Sequence, residues 1–151
     1  MDLSPFEAAA ALVTGMVPTE FGEVRSYSHK YGIKVWFDTE KAPKEHYEAQ
    51  VVGARDVPGA KVLAIEIGFH SEHPKAAEND AVLARLKTSE KKWRKEIGKE
   101  AEVDVFLGRA QNWRRVSETW IDPDLGDPEL AFEIAARLTD YISAIEPARR
   151  A

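Results

Sequence analysis

The stretch Val62–His73 alternates between apolar and polar positions. Successive side chains of a β-strand point to opposite faces, so this pattern predicts a central strand with one apolar face. The apolar face carries Leu63, Ile65, Ile67 and Phe69. The other face carries Ala64, Glu66, Gly68 and His70.

The same division recurs in the segments before this strand. Val24–Ser28 and Ile33–Asp38 predict a hairpin around His29–Gly32, in which Gly32 supplies the flexible turn position, and His46–Val52 predicts a third strand. The loop that contains Pro58 would return the chain into the central strand as an antiparallel neighbour. We therefore expect odd-numbered residues from 33 to 69 to face the helices and even-numbered ones to share the opposite face.

Three helices are predicted from apolar spacing and end signals. A capping box at Ser4–Glu7 starts a helix that runs to about Thr14 and ends at Gly15. A second helix begins between Lys75 and Asp80, runs to Ile97 and is capped by Gly98. A third starts with Asp127 as its cap and Pro128 at its first position, and ends before Pro147.

Two further strands, Val103–Leu107 and Trp113–Ile121, lie between the last two helices, and the alternation of the second leaves its register open. The resulting order is α-β-β-β-β-α-β-β-α. It predicts an α+β fold: a two-layer sandwich in which a largely antiparallel sheet of about six strands has its helices on one face. Residues 1–151 are expected to form a single domain.

Composition excludes several classes of function. The chain has 151 residues and no cysteine, which rules out disulfides, thiolate metal sites and a cysteine nucleophile. Its net charge of -5 argues against a nucleic-acid or anionic-membrane partner, because both need a basic surface. The apolar run Phe6–Val17 is too short to span a bilayer and follows Asp2 rather than a basic residue, so we expect a cytoplasmic protein.

The even-numbered face of the predicted sheet is the first candidate site. It would bring together the ligand-binding candidates Trp36, His46, Glu48, Glu66 and His70. Glu66 and His70 are the candidate metal ligands, because imidazole and carboxylate together suit zinc, manganese or iron. The competing interpretation is an ordinary solvated face, which antiparallel sheets often have.

A second interpretation makes the same face catalytic. Asp38 followed by Glu48-Ala49-Gln50 resembles the PD-(D/E)xK nuclease signature, in which carboxylates hold Mg²⁺ and the third residue helps to activate water. Glu66 is the further catalytic candidate. The first match departs from the family because a strand follows Gln50 where a helix is expected. A second partial match, Glu66-Ile67-Gly68, has a glycine at the position where the signature has a lysine.

Two other surfaces are candidates for contacts. An arginine-rich hairpin contains Arg109, Asn112, Trp113, Arg114 and Arg115. If Trp36 and Trp120 were both exposed on one side, they would form a self-association patch and favour a homodimer.

The segments HYEAQVVG, AIEIGFHSEHP and SETWIDPDL carry a family resemblance over about residues 33–149. The chain resembles an uncharacterised family of actinobacterial hypothetical proteins, and it is distantly similar to an uncharacterised module found beside restriction-type nuclease domains. The resemblance implies a strand-helix-strand arrangement and a bacterial cytoplasmic origin. It implies no catalytic residue.

The sequence thus favours a non-enzymatic accessory or binding protein without a cofactor. Its polar sheet face or its arginine-rich hairpin would bind a protein partner or a small polar ligand. The alternative is a metal-dependent hydrolase or nuclease that uses Asp38, Glu48, Gln50 and Glu66 with a divalent metal ion.

Overall fold

The computed structural model describes residues 3–151, which form a six-stranded antiparallel sheet with helices on one face. The strands are β1 (Val24–His29), β2 (Gly32–Phe37), β3 (Glu45–Gly53), β4 (Leu63–Ser71), β5 (Glu102–Val105) and β6 (Arg114–Ile121). The helices are α1 (Pro5–Met16), α2 (Ala76–Lys87), α3 (Glu90–Ile97) and α4 (Leu130–Arg150). The strand order β1-β2-β3-β4-β6-β5 places β4 inside the sheet, and the predicted α+β class is confirmed.

The division of the sheet into two faces is the one that the alternation predicts. The main apolar cluster contains the odd-numbered residues Ile33, Val35, Tyr47, Ala49, Ile65, Ile67 and Phe69. Helices α1 and α4 pack on this side of the sheet. On the opposite face, a small second cluster joins Val52 and Ala64 to Val57 of the following loop.

The predicted helix ending at Ile97 is in fact two helices, which break at Thr88 and Ser89. The Thr88 hydroxyl donates to the Arg85 carbonyl at 2.7 Å, and short hydroxyl side chains that bond the backbone in this way compete with helix continuation. Trp93 then donates its indole N–H to the carbonyl of Leu86 at 2.9 Å. The break therefore lets α3 turn its tryptophan back into the core.

Two predicted helix ends are also wrong. Helix α1 continues through Gly15 to Met16, and α4 continues through Pro147 to Arg150. Because Pro147 lies in the last turn, it removes a single backbone donor, and the side chains of Arg149 and Arg150 bond to Glu146 across that turn.

The predicted start of α4 is wrong by two residues. Neither Asp127 nor Pro128 takes its predicted place, because the helix begins at Leu130 after Glu129. The carboxylate of Asp127 instead accepts from the backbone N–H of Glu129 at 2.9 Å, within the turn that precedes the helix.

Strand β6 has a register that the sequence left open. Val116 packs in the core opposite Phe69, so Glu118, two residues later, also points to the helices. Because this helix-facing position holds a carboxylate instead of an apolar residue, apolar and polar residues do not alternate regularly along β6.

No helix within residues 3–151 is long and apolar enough to cross a membrane.

Candidate metal site

The even-numbered face of β3 and β4 is buried rather than solvated. Glu66 and His70 are completely inaccessible to solvent, and only 2% of the surface of His46 is exposed. Glu48, at 8%, is nearly as buried. These groups therefore cannot be stabilised by bulk water and must find their partners inside the protein.

Two His-x-Glu segments on paired strands form the cluster. His46 and Glu48 belong to β3, whereas His70 is the last but one residue of β4 and Glu72 directly follows the end of that strand. In the antiparallel register His46 lies opposite His70, so the two segments are related by a local twofold arrangement. Each imidazole is thereby placed between its own glutamate and the glutamate of the other segment.

Four side-chain atoms, one from each of these residues, lie within 4.8 Å of one another. His46 Nε2 is 2.9 Å from Glu48 Oε1 and 3.5 Å from Glu72 Oε2. His70 Nδ1 is 3.3 Å from the same Glu48 atom and 3.1 Å from the same Glu72 atom. Zinc bonds of about 2.0–2.1 Å set the ligand atoms of a tetrahedron about 3.3 Å apart, so the four nitrogen–oxygen distances are close to the edge length of such a metal shell.

The outward-facing nitrogen of each imidazole also has a partner. His46 Nδ1 lies 2.8 Å from the carbonyl oxygen of Pro43, which can only accept, so this nitrogen carries the proton. His70 Nε2 lies 2.7 and 2.9 Å from the two carboxylate oxygens of Glu66. Histidines that bind metals in proteins have this arrangement, in which one nitrogen faces the ion and the other donates to a carbonyl or carboxylate.

Glu66 is held by three donors. Besides His70, the side chains of Gln50, at 3.0 Å, and Ser117 donate to its carboxylate. Ser117 comes close because β4 has a glycine at this point: a Cβ on Gly68 would lie 2.3 Å from the carbonyl oxygen of Val116. The glycine between Glu66 and His70 thus permits the close contact of β4 and β6 beside the cluster.

The carboxylates dominate the electrostatics of the cluster. Burial alone would lower the pKa of His70, but Glu66, Glu48 and Glu72 together raise that pKa well above its ordinary value. Burial likewise opposes the charge of Glu72, yet hydrogen bonds with His46 and His70 lower its pKa to about 2. The pKa values of Glu48 and Glu66 are lowered in the same way, and that of His46 is raised. The negative charge therefore has to be balanced at the imidazoles, by protons or by another cation.

The loop between β5 and β6 covers part of this face. The ring of Phe106 meets His70 edge-on, with centroids 5.1 Å apart, and packs in the same manner on Trp113. An aromatic side chain thus shields the imidazole that lies deepest in the cluster.

The other residues selected from the sequence lie in different surroundings. Gln50 supports Glu66, as described, and Trp36 donates its indole N–H to the carbonyl of Thr39 at the end of β2. Asp38 is exposed and accepts from the backbone N–H of Glu23 at 2.8 Å. The structure therefore brings together His46, Glu48, Glu66 and His70 but does not bring Asp38 to them.

The arginine-rich hairpin uses two of its arginines internally. Arg114 pairs with Asp80 at 2.7 Å, and Arg115, which is 3% exposed, bonds to Glu102 and Ser117. The two tryptophans of the expected self-association patch lie on opposite faces, because Trp120 packs against the core and Trp36 is on the even-numbered side. They share no common surface.

Sequence reasoning missed Glu72, which lies beyond the end of the regular strand. The signal that would have found it is the repeated His-x-Glu spacing of His46-Tyr47-Glu48 and His70-Ser71-Glu72 on two neighbouring strands. The geometry also separates the two metal ligands that the sequence suggested: His70 belongs to the four-atom group, whereas Glu66 lies on the other nitrogen of its ring.

Comparison of the chain with protein-family models, with curated proteins and with solved structures finds no match. The resemblance to an actinobacterial family therefore stays a prediction.

Proposed function

We propose that this chain is a non-enzymatic metal-binding protein that holds one divalent transition-metal ion, with Zn²⁺ preferred. The ion would lie between His46 Nε2, Glu48 Oε1, His70 Nδ1 and Glu72 Oε2. The observation that carries the proposal is the spacing of these atoms, whose four nitrogen–oxygen distances of 2.9–3.5 Å bracket the edge of a zinc tetrahedron.

The chemistry of the donors supports the same class of ion. Two imidazole nitrogens and two carboxylate oxygens suit zinc, manganese and iron, whereas Mg²⁺ and Ca²⁺ prefer sites built of oxygen alone. Four protein donors whose nitrogen–oxygen distances lie close to the edge of a zinc tetrahedron favour Zn²⁺ within that group. One divalent ion also supplies the same positive charge as protonation of both imidazoles.

The burial of the donors supports a binding role over a catalytic one. Catalytic zinc sites usually have three protein ligands and keep a fourth position for water, whereas structural sites use four protein ligands. Here four protein atoms are available, and the residues that supply them are each at most 9% exposed. The bound ion would tie β3 to the end of β4, so its main effect would be on stability.

The direct test is metal binding by protein that has been stripped with a chelator. We expect one Zn²⁺ per chain by calorimetry, and at a free Zn²⁺ concentration 100 times the Kd the free energy of unfolding should rise by about 2.7 kcal/mol. His70→Gln and Glu48→Gln should each weaken binding by more than about 100-fold, because each removes a ligand. His29→Gln is the matched control: this histidine, at the end of β1, accepts from the Tyr31 backbone, so its loss should leave Zn²⁺ affinity unchanged.

X-ray absorption of the zinc-loaded wild type keeps the test valid if a variant fails to fold. We expect two imidazole nitrogens and two carboxylate oxygens around the ion. The absence of Zn²⁺ binding by the folded wild type would contradict the proposal.

The hydrolase alternative is tested on the same samples. Hydrolysis of bis(p-nitrophenyl) phosphate that requires Zn²⁺ or Mn²⁺ and disappears in Glu48→Gln would favour an enzyme. Metal binding without such turnover would support the binding role.

A further inference from the structure

Glu66 is the buried acidic residue of this face that lies outside the four-atom group. It is completely inaccessible, and both of its carboxylate oxygens lie within 2.9 Å of His70 Nε2. The nitrogen that faces Glu48 and Glu72 is Nδ1, on the other side of the ring. A single ion therefore cannot be bound by Nδ1 of His70 and by Glu66 together.

We infer that Glu66 is a positioning residue, which holds the proton of His70 on Nε2 and so turns the Nδ1 lone pair toward the metal. This inference rests on the proposed function. An ionised carboxylate can only accept hydrogen bonds, so it stabilises the tautomer that carries the proton on the nitrogen it faces.

The surroundings of Glu66 keep its carboxylate in place. Gln50 Nε2 donates to it from β3, and Ser117 donates from β6, so donors from both neighbouring strands converge on one side chain. The Ser117 hydroxyl accepts in turn from Arg115 Nη1 at 2.9 Å. A buried arginine thus supports the carboxylate through one intervening hydroxyl.

The test substitutes Glu66→Gln and measures affinity and coordination separately. A glutamine amide has one acceptor oxygen and a donating NH₂ group, so it cannot accept from all three of the present donors. We expect Zn²⁺ affinity to fall about 10- to 100-fold, as is typical when the partner of a metal-bound histidine is removed. The visible spectrum of the Co²⁺-loaded variant should keep the shape of the wild-type spectrum, because the four ligands are unchanged.

Two controls separate positioning from ligation and from stability. Glu72→Gln removes a ligand and should change the Co²⁺ spectrum. Glu118→Gln removes a buried carboxylate from the helix-facing side of the same sheet, where it pairs with Arg137, and should leave Zn²⁺ affinity unchanged. If Glu66→Gln does not fold, the ¹⁵N chemical shifts of His70 in the zinc-loaded wild type decide, since we expect metal on Nδ1 and a proton on Nε2.

The outcomes distinguish this inference from the proposed function. If the wild type binds Zn²⁺ but Glu66→Gln binds it equally well, or if the Co²⁺ spectrum of Glu66→Gln shows a lost ligand, the positioning role is wrong and the metal site stands. If the folded wild type binds neither ion, the proposed function and this inference both fail.

Discussion

The sheet carries buried carboxylates on both faces, and the two faces neutralise them differently. On the helix side, Glu118 accepts from Arg137 at 2.7 Å and from the Tyr141 hydroxyl at 2.8 Å. Glu146 accepts from Arg149, Arg150 and the Tyr47 hydroxyl. These carboxylates have guanidinium partners, whose charge is permanent at any pH at which the protein folds.

On the opposite face the partners are of another kind. Within residues 3–151, the hydrogen bonds and ion pairs of Glu48, Glu66 and Glu72 are with imidazoles, an amide and a hydroxyl rather than with Arg or Lys. An imidazole can be neutral and has a lone pair for a metal, whereas a guanidinium has neither property. The carboxylates of the helix side are thus held by a permanent ion-pair network, whereas those of the other side bond to groups that can be neutral.

The largest expected effect comes from removing a permanent cation on the helix side. Arg137→Met leaves Glu118 buried with neutral donors, and we expect a loss of roughly 3 kcal/mol in the free energy of unfolding, measured by urea denaturation. Arg25→Met, which removes an exposed pair with Glu23, is the control and should cost less than about 1 kcal/mol.

Urea denaturation of Arg137→Met with saturating Zn²⁺ tests whether the two faces are energetically independent. Because Arg137 acts on the opposite face from the cluster, its loss and the stabilisation by Zn²⁺ should be additive. If Zn²⁺ no longer raises the free energy of unfolding of Arg137→Met, the ion pairs of the helix side and the His/Glu cluster are energetically coupled.

The pH dependence of the free energy of unfolding of the metal-free protein should show a contribution from the helix-side carboxylate Glu118. We expect this effect to be smaller than the loss caused by Arg137→Met. Burial would raise the pKa of Glu118, but hydrogen bonds from Arg137, Trp120 and Tyr141 outweigh it and lower that pKa below its usual 4.5. A carboxyl whose pKa is lowered in the folded state stabilises the protein above its unfolded pKa, and this stability is lost as the pH falls through the folded pKa.

We therefore expect the free energy of unfolding to decrease below about pH 4.5, and Glu118→Gln to weaken this decrease. Unfolding followed by circular dichroism at several pH values measures both slopes. Equal acid sensitivity of the variant and the wild type would show that Glu118 is not held ionised by its partners.

The smallest effect is expected at Asp38, a carboxylate that belongs to neither network. It caps a backbone N–H at a positive φ of 66°, which asparagine tolerates. Asp38→Asn should change stability by less than about 0.5 kcal/mol and leave Zn²⁺ affinity unchanged. A large loss of Zn²⁺ affinity in Asp38→Asn would show that Asp38 contributes to metal binding and would favour the nuclease alternative.

Much of the candidate site follows from side-chain alternation. His46, Glu48, Glu66 and His70 were placed on one face because even-numbered residues of paired strands share it, and the register keeps them together. Glu72 was missed because alternation says nothing about the residue that follows a strand. Its position depends on a hydrogen bond between its backbone N–H and the carbonyl of Lys44, a contact between segments far apart in the chain.

The strands, the apolar face and the α+β class can be predicted from the amino-acid sequence, because they depend on local periodicity. Three properties depend on the folded structure: which nitrogen of each histidine faces the carboxylates, how deeply the polar face is buried, and which buried carboxylates have arginine partners. Those properties depend on distances between side chains from different strands and helices, and such distances exist only once the sheet has formed and its loops have closed over it.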